Sequence, residues 1–444
     1  MRDVVAPSLN RQILALALPA LGALIAEPIF LLVDSAIIGH LGVAQLAGVG
    51  VAATILTTAV GLSVFLAYGT TAQVARLLGA GNLRRALSLG MDGIYLALGI
   101  GLALVVVGML AGPAAIRALG ASGDAARYGT SYLLWSLPGL PGMLVVLACT
   151  GVLRGLQDTR TPLWVAVAGA ISNIGLNLLL VNGFGWGVAG SAIGTVIAQT
   201  LMAAALVAVV VRHARHHRAS LRPDRRGIRG AGAAAVPLLI RTLALRVGIL
   251  ATTMAAARLG QVGLAGHQVV NTVWNFLALA LDALAIAAQA LTGKTLGAGD
   301  AAEVRGVTRA MVCWSLGAGA VIGLLVLLAA PWVGAVFTPD SGVRHAITLG
   351  LLVVAVAQPL AGYVFLLDGV LIGAGDGKYL AWAGCLAVLV YLPFAWAVAA
   401  WAPAGPVGLL WLWIAYTAVY LTARAVTLGL RYRRDAWLVL GAGR

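Results

Sequence analysis

Charge is scarce in this chain. Asp, Glu, Lys and Arg make up only 10% of its 444 residues, and the acids number 14. Soluble domains carry about a quarter charged residues. That shortage, with 61% hydrophobic residues and a mean hydropathy of +0.99, excludes a water-soluble globular protein. Cysteine is almost absent. Cys149, Cys313 and Cys385 all fall inside apolar runs, which excludes a disulfide framework and metal-ligand spacing. Of the six histidines, His213, His216 and His217 sit in one polar stretch, while His40, His267 and His345 stand alone, so no metal site is implied. No GxxxxGK[ST] pattern occurs, so nothing supports ATP-driven work. A clustered His/Asp/Glu or Ser/His site is also missing, which argues against an enzyme. No cofactor is expected.

What the chain has instead is apolar length. Twelve runs are long enough to span a bilayer, with approximate cores at 13–36, 46–75, 88–111, 128–151, 162–181, 188–211, 233–257, 264–292, 308–330, 346–373, 379–401 and 406–430. About 20 apolar residues suffice for a hydrocarbon core of roughly 30 Å. The second, eighth and tenth runs exceed that, so tilt or protrusion is expected. The first run carries Glu27 and Asp34 and continues as a spanning helix, so no cleavable signal peptide is expected.

The net charge of +15 invites a nucleic-acid reading, but the placement of the charges rejects it. With the N-terminus inside, 22 basic residues, Arg2 and Arg444 among them, fall on the inner side. Only Arg117, Arg127, Arg258 and Arg344 fall outside. That bias orients a multi-pass protein with both termini cytoplasmic. Residues 212–230, with seven arginines, read as a solvated cytoplasmic linker beside anionic lipid headgroups. Membrane lipid is therefore an expected partner and nucleic acid is not.

The two halves repeat. LLGAGN at Leu77–Asn82 returns as TLGAGD at Thr295–Asp300, an offset of 218 residues (Gly79 to Gly297). The same offset relates LRGLQD at Leu153–Asp158 to LIGAGD at Leu371–Asp376, Pro141 to Pro359, and Leu41-Gly42 to Leu259-Gly260. Each repeat holds six helices, so both enter from the same side and the repeat is parallel. The expected fold is all-α, with twelve transmembrane helices in two pseudo-symmetric six-helix lobes around a central cavity. The lobes are 1–211 and 231–444, joined by the linker at 212–230. This is the architecture of a carrier, and a self-contained duplication makes a monomer the expectation. The repeated glycine and acid elements lie at helix ends. There glycine permits tight turns and the acid can cap the next helix.

Asp34 is the chemically pointed residue, an acid deep within the apolar run from Ile13 to Ile38. A charged Asp at mid-bilayer costs about 2.5–3.5 kcal/mol on insertion scales. It is either held neutral, or it faces water and a partner. Both readings describe a group that exchanges a proton or binds a cation. Glu27, seven residues earlier, shares its helix face, and Pro28 beside it can kink the helix.

The segments LVDSAIIGHLG, LLGAGN, LRGLQDTRTPL, Asn173–Thr195, RTLALR, ALDALAIAAQALTGKTLGAGD and FLLDGVLIGAGD resemble the multidrug and toxic compound extrusion (MATE) transporters. Asp282 and Asp368, in the last two, are similar to the DinF-like branch. The resemblance implies a secondary antiporter of the bacterial cytoplasmic membrane that exports organic, amphipathic and often cationic compounds against inward proton or sodium flow. It also implies that Asp34 is the coupling site, grouped with Asn173, Asn177 and Thr195. The fifth helix of the family offers NxxLD, whereas this chain reads Asn173-Ile-Gly-Leu-Asn177, an amide in place of the acid. One acid with amides and a hydroxyl holds Na+ with less charge than two acids do. Proton coupling is therefore expected, with Na+ as the alternative.

A second coupling or charge-network site is expected from Glu27, Asp282 and Asp368, with Arg241 or Arg246 as ion-pair partners. Asn275, Asp282 and Gln289 form a stripe of period seven that would face a bundle interior. Phe30, Tyr68, Met143, Trp274 and Phe276 are available to line a substrate cavity through cation–π and soft packing contacts. A lipid-linked oligosaccharide flippase of related architecture would favour a cationic cavity, which the acids oppose. A channel would more often be oligomeric.

Overall fold

The computed structural model describes residues 8–442, so Arg2 and Arg444 lie outside the described residues. Among the described residues, twelve helices are long and apolar enough to cross a membrane. They are α1 (Leu9–Gly39), α2 (Val43–Gly79), α3 (Leu83–Ala118), α4 (Gly123–Gly155), α5 (Arg160–Gly183) and α6 (Gly187–His216). There follow α7 (Arg225–Arg258), α8 (Gly260–Ala298), α9 (Ala301–Phe337), α10 (Ser341–Gly373), α11 (Gly377–Trp401) and α12 (Pro406–Arg433). The chain is an all-α, multi-pass membrane protein. In lipid every backbone group must be satisfied within its own segment, and helices of this length do that.

The helices are not uniform. α2 breaks at Ser63 and Val64, so its long apolar run is accommodated by a turn rather than by one straight helix. α4 tightens into a 3-10 turn at Leu137–Gly139, around Pro138. α5 and α12 each contain a π-helical stretch, at Leu178–Gly183 and Ala415–Leu421. α1 retains helical geometry through Pro19 and Pro28.

The chain divides into two compact units. One is Leu14–Ala235, and the other joins Val236–Arg444 with Met1–Ile13. In the first unit α4 packs against α2, α3 and α6, and α5 lies on α6. In the second, α10 packs against α8, α9 and α12, and α11 lies on α12. α4 and α10 therefore hold matching positions. The 218-residue offset that separates Gly123 from Ser341 also separates Gly155 from Gly373, so the two central helices begin and end in register.

The repeat reaches individual contacts. In the first unit, a Cβ on Gly101 of α3 would strike the backbone of Pro141 on α4. In the second, a Cβ on Gly319 of α9 would strike the Gln358 carbonyl and Pro359 of α10. Each pair lets two helices approach until only hydrogen fits between them. At the helix ends Gly81, Gly299 and Gly375 take φ of 74°, 86° and 73°, and the fourth equivalent position holds Gln157, which still takes 67°. Three of the four repeated terminal residues cap the next helix. Asn82 accepts from Arg85 N, Asp158 from Arg160 N and Thr161 N, and Asp300 from Ala302 N and Glu303 N. The fourth, Asp376, instead accepts from Arg431 Nε at 2.7 Å.

The basic stretch at 212–230 is less of a free connector than its composition suggests. α6 runs on to His216 and α7 begins at Arg225, leaving eight residues between them. Those residues are tied to one face of α3. Ser88 Oγ accepts from Ser220 N at 3.0 Å, Asp92 Oδ1 from Asp224 N at 2.9 Å, and Tyr95 donates to the Leu221 carbonyl at 2.9 Å. Ala214, Ala219 and Leu87 pack beneath the strap. Its arginines stay exposed. Ser88, Asp92 and Tyr95 lie at i, i+4 and i+7, a polar stripe legible in the sequence.

Candidate functional site

The first unit brings six polar side chains from four helices together around Asp34. α1 ends at Gly39, five residues after Asp34. At 1.5 Å per residue the carboxyl lies roughly 8 Å from that end rather than at mid-helix.

α5 supplies two amides and α6 two hydroxyls. Asn173 and Asn177 are four residues apart, as are Ser191 and Thr195, so each pair shares one helix face. Asn177 Nδ2 donates to Asp34 Oδ1 at 2.6 Å, and Ser191 Oγ donates to the same oxygen at 2.6 Å. Tyr132 of α4 donates to Asp34 Oδ2 at 3.3 Å. Asn173 is one step removed: its Oδ1 accepts from Asn177 Nδ2 and its Nδ2 donates to Thr195 Oγ1, each at 3.0 Å. All six residues are buried, Asn177 and Ser191 completely. Asn177 Oδ1 is buried and has no hydrogen-bond partner. A Cβ at Gly194 of α6 would collide with it, so glycine there makes room for the amide.

An apolar cluster closes around this polar knot. Ile38 of α1, Val49, Ala52 and Leu56 of α2, Leu133, Leu137 and Leu140 of α4, and Val188 and Ala192 of α6 pack with the Tyr132 ring. Directly beyond Asn177 the chain enters the π-helical stretch of α5. Such stretches frequently mark functional sites. Every partner of Asp34 in this cluster is uncharged, and every one donates to it. A site of this kind can hold a carboxylate through neutral donors and can release it to protonation without breaking an ion pair.

Glu27 does not join the cluster. It lies two turns from Asp34 on the same face of α1 but is exposed, and among the described residues it has no hydrogen-bond or ion-pair partner. The second unit builds a different centre. Asp368 of α10 accepts from Arg241 Nε of α7 at 3.1 Å and from Arg424 Nη2 of α12 at 2.7 Å, and Arg241 also pairs with its other oxygen. All three residues are buried. Arg424, not Arg246, completes the network. Arg246 lies five residues after Arg241 on α7, about 140° around the helix, and its side chain is exposed. The period-seven stripe on α8 runs from exposed Asn275 through half-buried Asp282 to buried Gln289, so it does not face one uniform interior.

The aromatic candidates also separate. Trp274 is buried in a column with Trp413 and Tyr416, ring centroids 6.0 and 5.6 Å away, and packs the second unit's interior instead of lining an open cavity. Tyr391 and Tyr420 extend that column. Phe276 is exposed, Phe30 and Tyr68 are half-buried, and Met143 packs against the apolar cluster beside Tyr132. His267 is buried within hydrogen-bonding reach of Thr253, and His40, just past the end of α1, bonds the Ala36 carbonyl. Among the described residues no group of three His, Cys, Asp or Glu side chains converges as a metal site.

Ser191 and Tyr132 are the site residues that sequence reasoning missed. Ser191 was findable, because it precedes Thr195 by one helical turn. Tyr132 had no signal: a tyrosine in an apolar helix usually serves packing or an interface.

Comparison with known proteins bears on the whole chain. The profile of the MatE family matches residues 19–179 and 237–397. Protein DETOXIFICATION 44, chloroplastic, of Arabidopsis thaliana is 31% identical over 389 residues, 84% of this chain and 74% of the relative. DNA damage-inducible protein F of Escherichia coli is 30% identical over 439 residues, 96% of this chain and 93% of the relative. Among solved structures, a MOP superfamily transporter from Pyrococcus furiosus superposes with a TM-score of 0.88, covering 97% of each chain at 20% identity, which bears on the fold alone.

Proposed function

We propose a proton-coupled antiport cycle for this chain, which belongs to the MatE family of transporters, with Asp34 as the group that carries the proton. The chain is a secondary transporter of organic compounds. The finer reading is export of an amphipathic cation across the bacterial cytoplasmic membrane by a monomer with both termini inside. The two six-helix lobes carry the cycle, and the basic segment connects them.

One contrast supports the assignment of Asp34. Its partners are all neutral, whereas Asp368 is shared by two guanidinium groups. Protonating Asp34 costs hydrogen bonds that hydroxyls and an amide can rearrange. Protonating Asp368 would remove the negative charge that two buried guanidinium groups share. Asp34 is therefore the acid that can change charge during a cycle, and Asp368 the one that holds helices together. The missing second acid beside Asp34 favours H+ over Na+, since amide and hydroxyl oxygens offer a cation less charge.

Proteoliposomes loaded with a fluorescent organic cation test this, with pH, sodium and voltage gradients imposed separately. Exchange of one proton for one monovalent cation moves no net charge. Export should then follow the pH gradient, at about 1.4 kcal/mol per pH unit, and ignore the potential. Asp34→Asn should insert normally and lose transport. Normal export by Asp34→Asn would remove Asp34 from the role, and export driven by potential alone would argue for a second carrier beside it.

A further inference from the structure

Every hydrogen bond at Asp34 is donated to it, and donation radiates from Asn177 towards Asp34 on one side and Asn173 on the other. Thr195 accepts from Asn173, Asn173 accepts from Asn177, and Asp34 accepts from Asn177, Ser191 and Tyr132. Both N–H groups of Asn177 are therefore spent, one on Asp34 and one on Asn173, while its Oδ1 is idle. This is the pattern a carboxylate requires. A carboxylic acid requires something different, because one of its oxygens must donate.

We propose that Asn177 is a positioning residue that turns the charge of Asp34 into a reversal of hydrogen-bond polarity across α1, α5 and α6. When Asp34 takes a proton from water, an O–H bond forms and its charge is cancelled. The Asn177 amide then turns over, and its Oδ1 accepts from the new O–H. Asn173 follows: its Nδ2 donates to Asn177 Oδ1, and its own Oδ1 accepts from the Thr195 hydroxyl. The heavy-atom framework suits both states, because amide N and O occupy equivalent places. Gly194 leaves space on the idle side of the amide. In either state one end of the Asn177 amide is unpaired, so hydrogen bonding alone locks neither. An ionised carboxylate at position 177 could not do this, since it has no hydrogen to donate.

The groups that face Asp34 leave the amides as the responsive element. From α4 comes Tyr132, from α5 the two asparagines and from α6 Ser191 and Thr195, while Val49, Ala52 and Leu56 of α2 pack in the apolar cluster with Tyr132. No arginine or lysine is hydrogen-bonded or ion-paired to Asp34 among the described residues. Ser191 and Tyr132 can rotate a hydroxyl in place, and Tyr132 also lies within hydrogen-bonding reach of Ser191 and Thr195. The two amides carry the change from α1 through α5 to α6.

The inference rests on proton coupling at Asp34, and the test separates the two. The full-length protein in lipid, labelled with 15N-asparagine, is examined by acid-minus-base infrared difference spectroscopy. The carboxylic C=O band that disappears in Asp34→Asn should be accompanied by a side-chain amide change that moves with the label and is lost in Asn177→Leu. The pH of half-maximal transport in Asn177→Leu should rise by about one unit, tenfold in proton concentration, because the carboxylate loses a donor. An Asp34 band without a label-sensitive amide change overturns the polarity reversal and leaves proton coupling standing. So does an unchanged pH profile in Asn177→Leu. Absence of any Asp34 band overturns both. The labelled wild-type spectrum needs no variant to fold.

Discussion

Replacing Asp368 by asparagine keeps the shape of the side chain and deletes the one charge that faces both Arg241 and Arg424. All three groups are buried in the second unit, so neither guanidinium can turn to bulk water without unpacking α7 or α12. Removing one partner from a buried ion pair costs about 3–5 kcal/mol, mostly the penalty of the charge left behind. Here two guanidinium groups lose the same carboxylate charge. Arg424→Gln should be milder, because it leaves Arg241 and Asp368 as a matched pair. For a unit of roughly this size, about 1 kcal/mol corresponds to 2–4 °C in Tm. Asp368→Asn should thus lower the melting temperature by about 6–20 °C, measured by thermal unfolding in detergent, and Arg424→Gln by clearly less. The decisive comparison is between the variants. If Asp368→Asn melts no lower than Arg424→Gln, the carboxylate is not the hub of this network, and the contrast drawn with Asp34 loses its basis.

Three further outcomes follow from the geometry. Gln157 holds φ of 67° where its three equivalents are glycines, so Gln157→Gly should stabilise by about 1 kcal/mol and raise Tm by a few degrees. Gly319→Val and Gly101→Val should each destabilise by about 1–3 kcal/mol, because a side chain there meets the backbone of α10 or α4. Equal losses at the two sites would show that the repeated contact does the same work in each unit, and no loss at either would refute the close approach. Ser191→Ala should shift the pH profile of transport further than Tyr132→Phe, since the serine bond to Asp34 is 2.6 Å and the tyrosine bond 3.3 Å. The reverse order, read by efflux at a series of pH values, would contradict the hydrogen-bond ranking.

Much of the architecture was legible before any coordinate. The twelve helices follow from apolar length, because a span of lipid demands about 20 apolar residues whatever their neighbours are. The duplication was visible as a single offset, and the helix limits keep that offset at Gly123 and Ser341 and again at Gly155 and Gly373. Three helix-start caps, at Asn82, Asp158 and Asp300, were readable as local signals that span three residues. The pairing of Asn173 with Asn177 was readable too, since four residues return a helix to the same face.

What could not be read was choice among helices. Arg246 and Arg424 were equally available to Asp368 by composition. Which of them reaches it depends on how α7 and α12 are rotated against α10. Tyr132 carried no signal until α4 set its hydroxyl beside α1. Trp274 looked like a cavity residue until α12 covered it with Trp413 and Tyr416. The arginine-rich segment looked free until Ser88, Asp92 and Tyr95 took its backbone groups.

The division has one cause. Membrane insertion, helix periodicity and capping act along the chain over a few residues to a few turns, so the order of letters carries them: twelve spans, their duplication and the acid Asp34 inside the first. Partnership between side chains from different helices depends on rotation and close approach. Those arise only when glycines, ring stacks and buried charges are packed together. The neutral shell of Asp34 and the doubly cationic shell of Asp368 belong to that second kind. It is this difference in company, more than the acids themselves, that separates the two carboxylates.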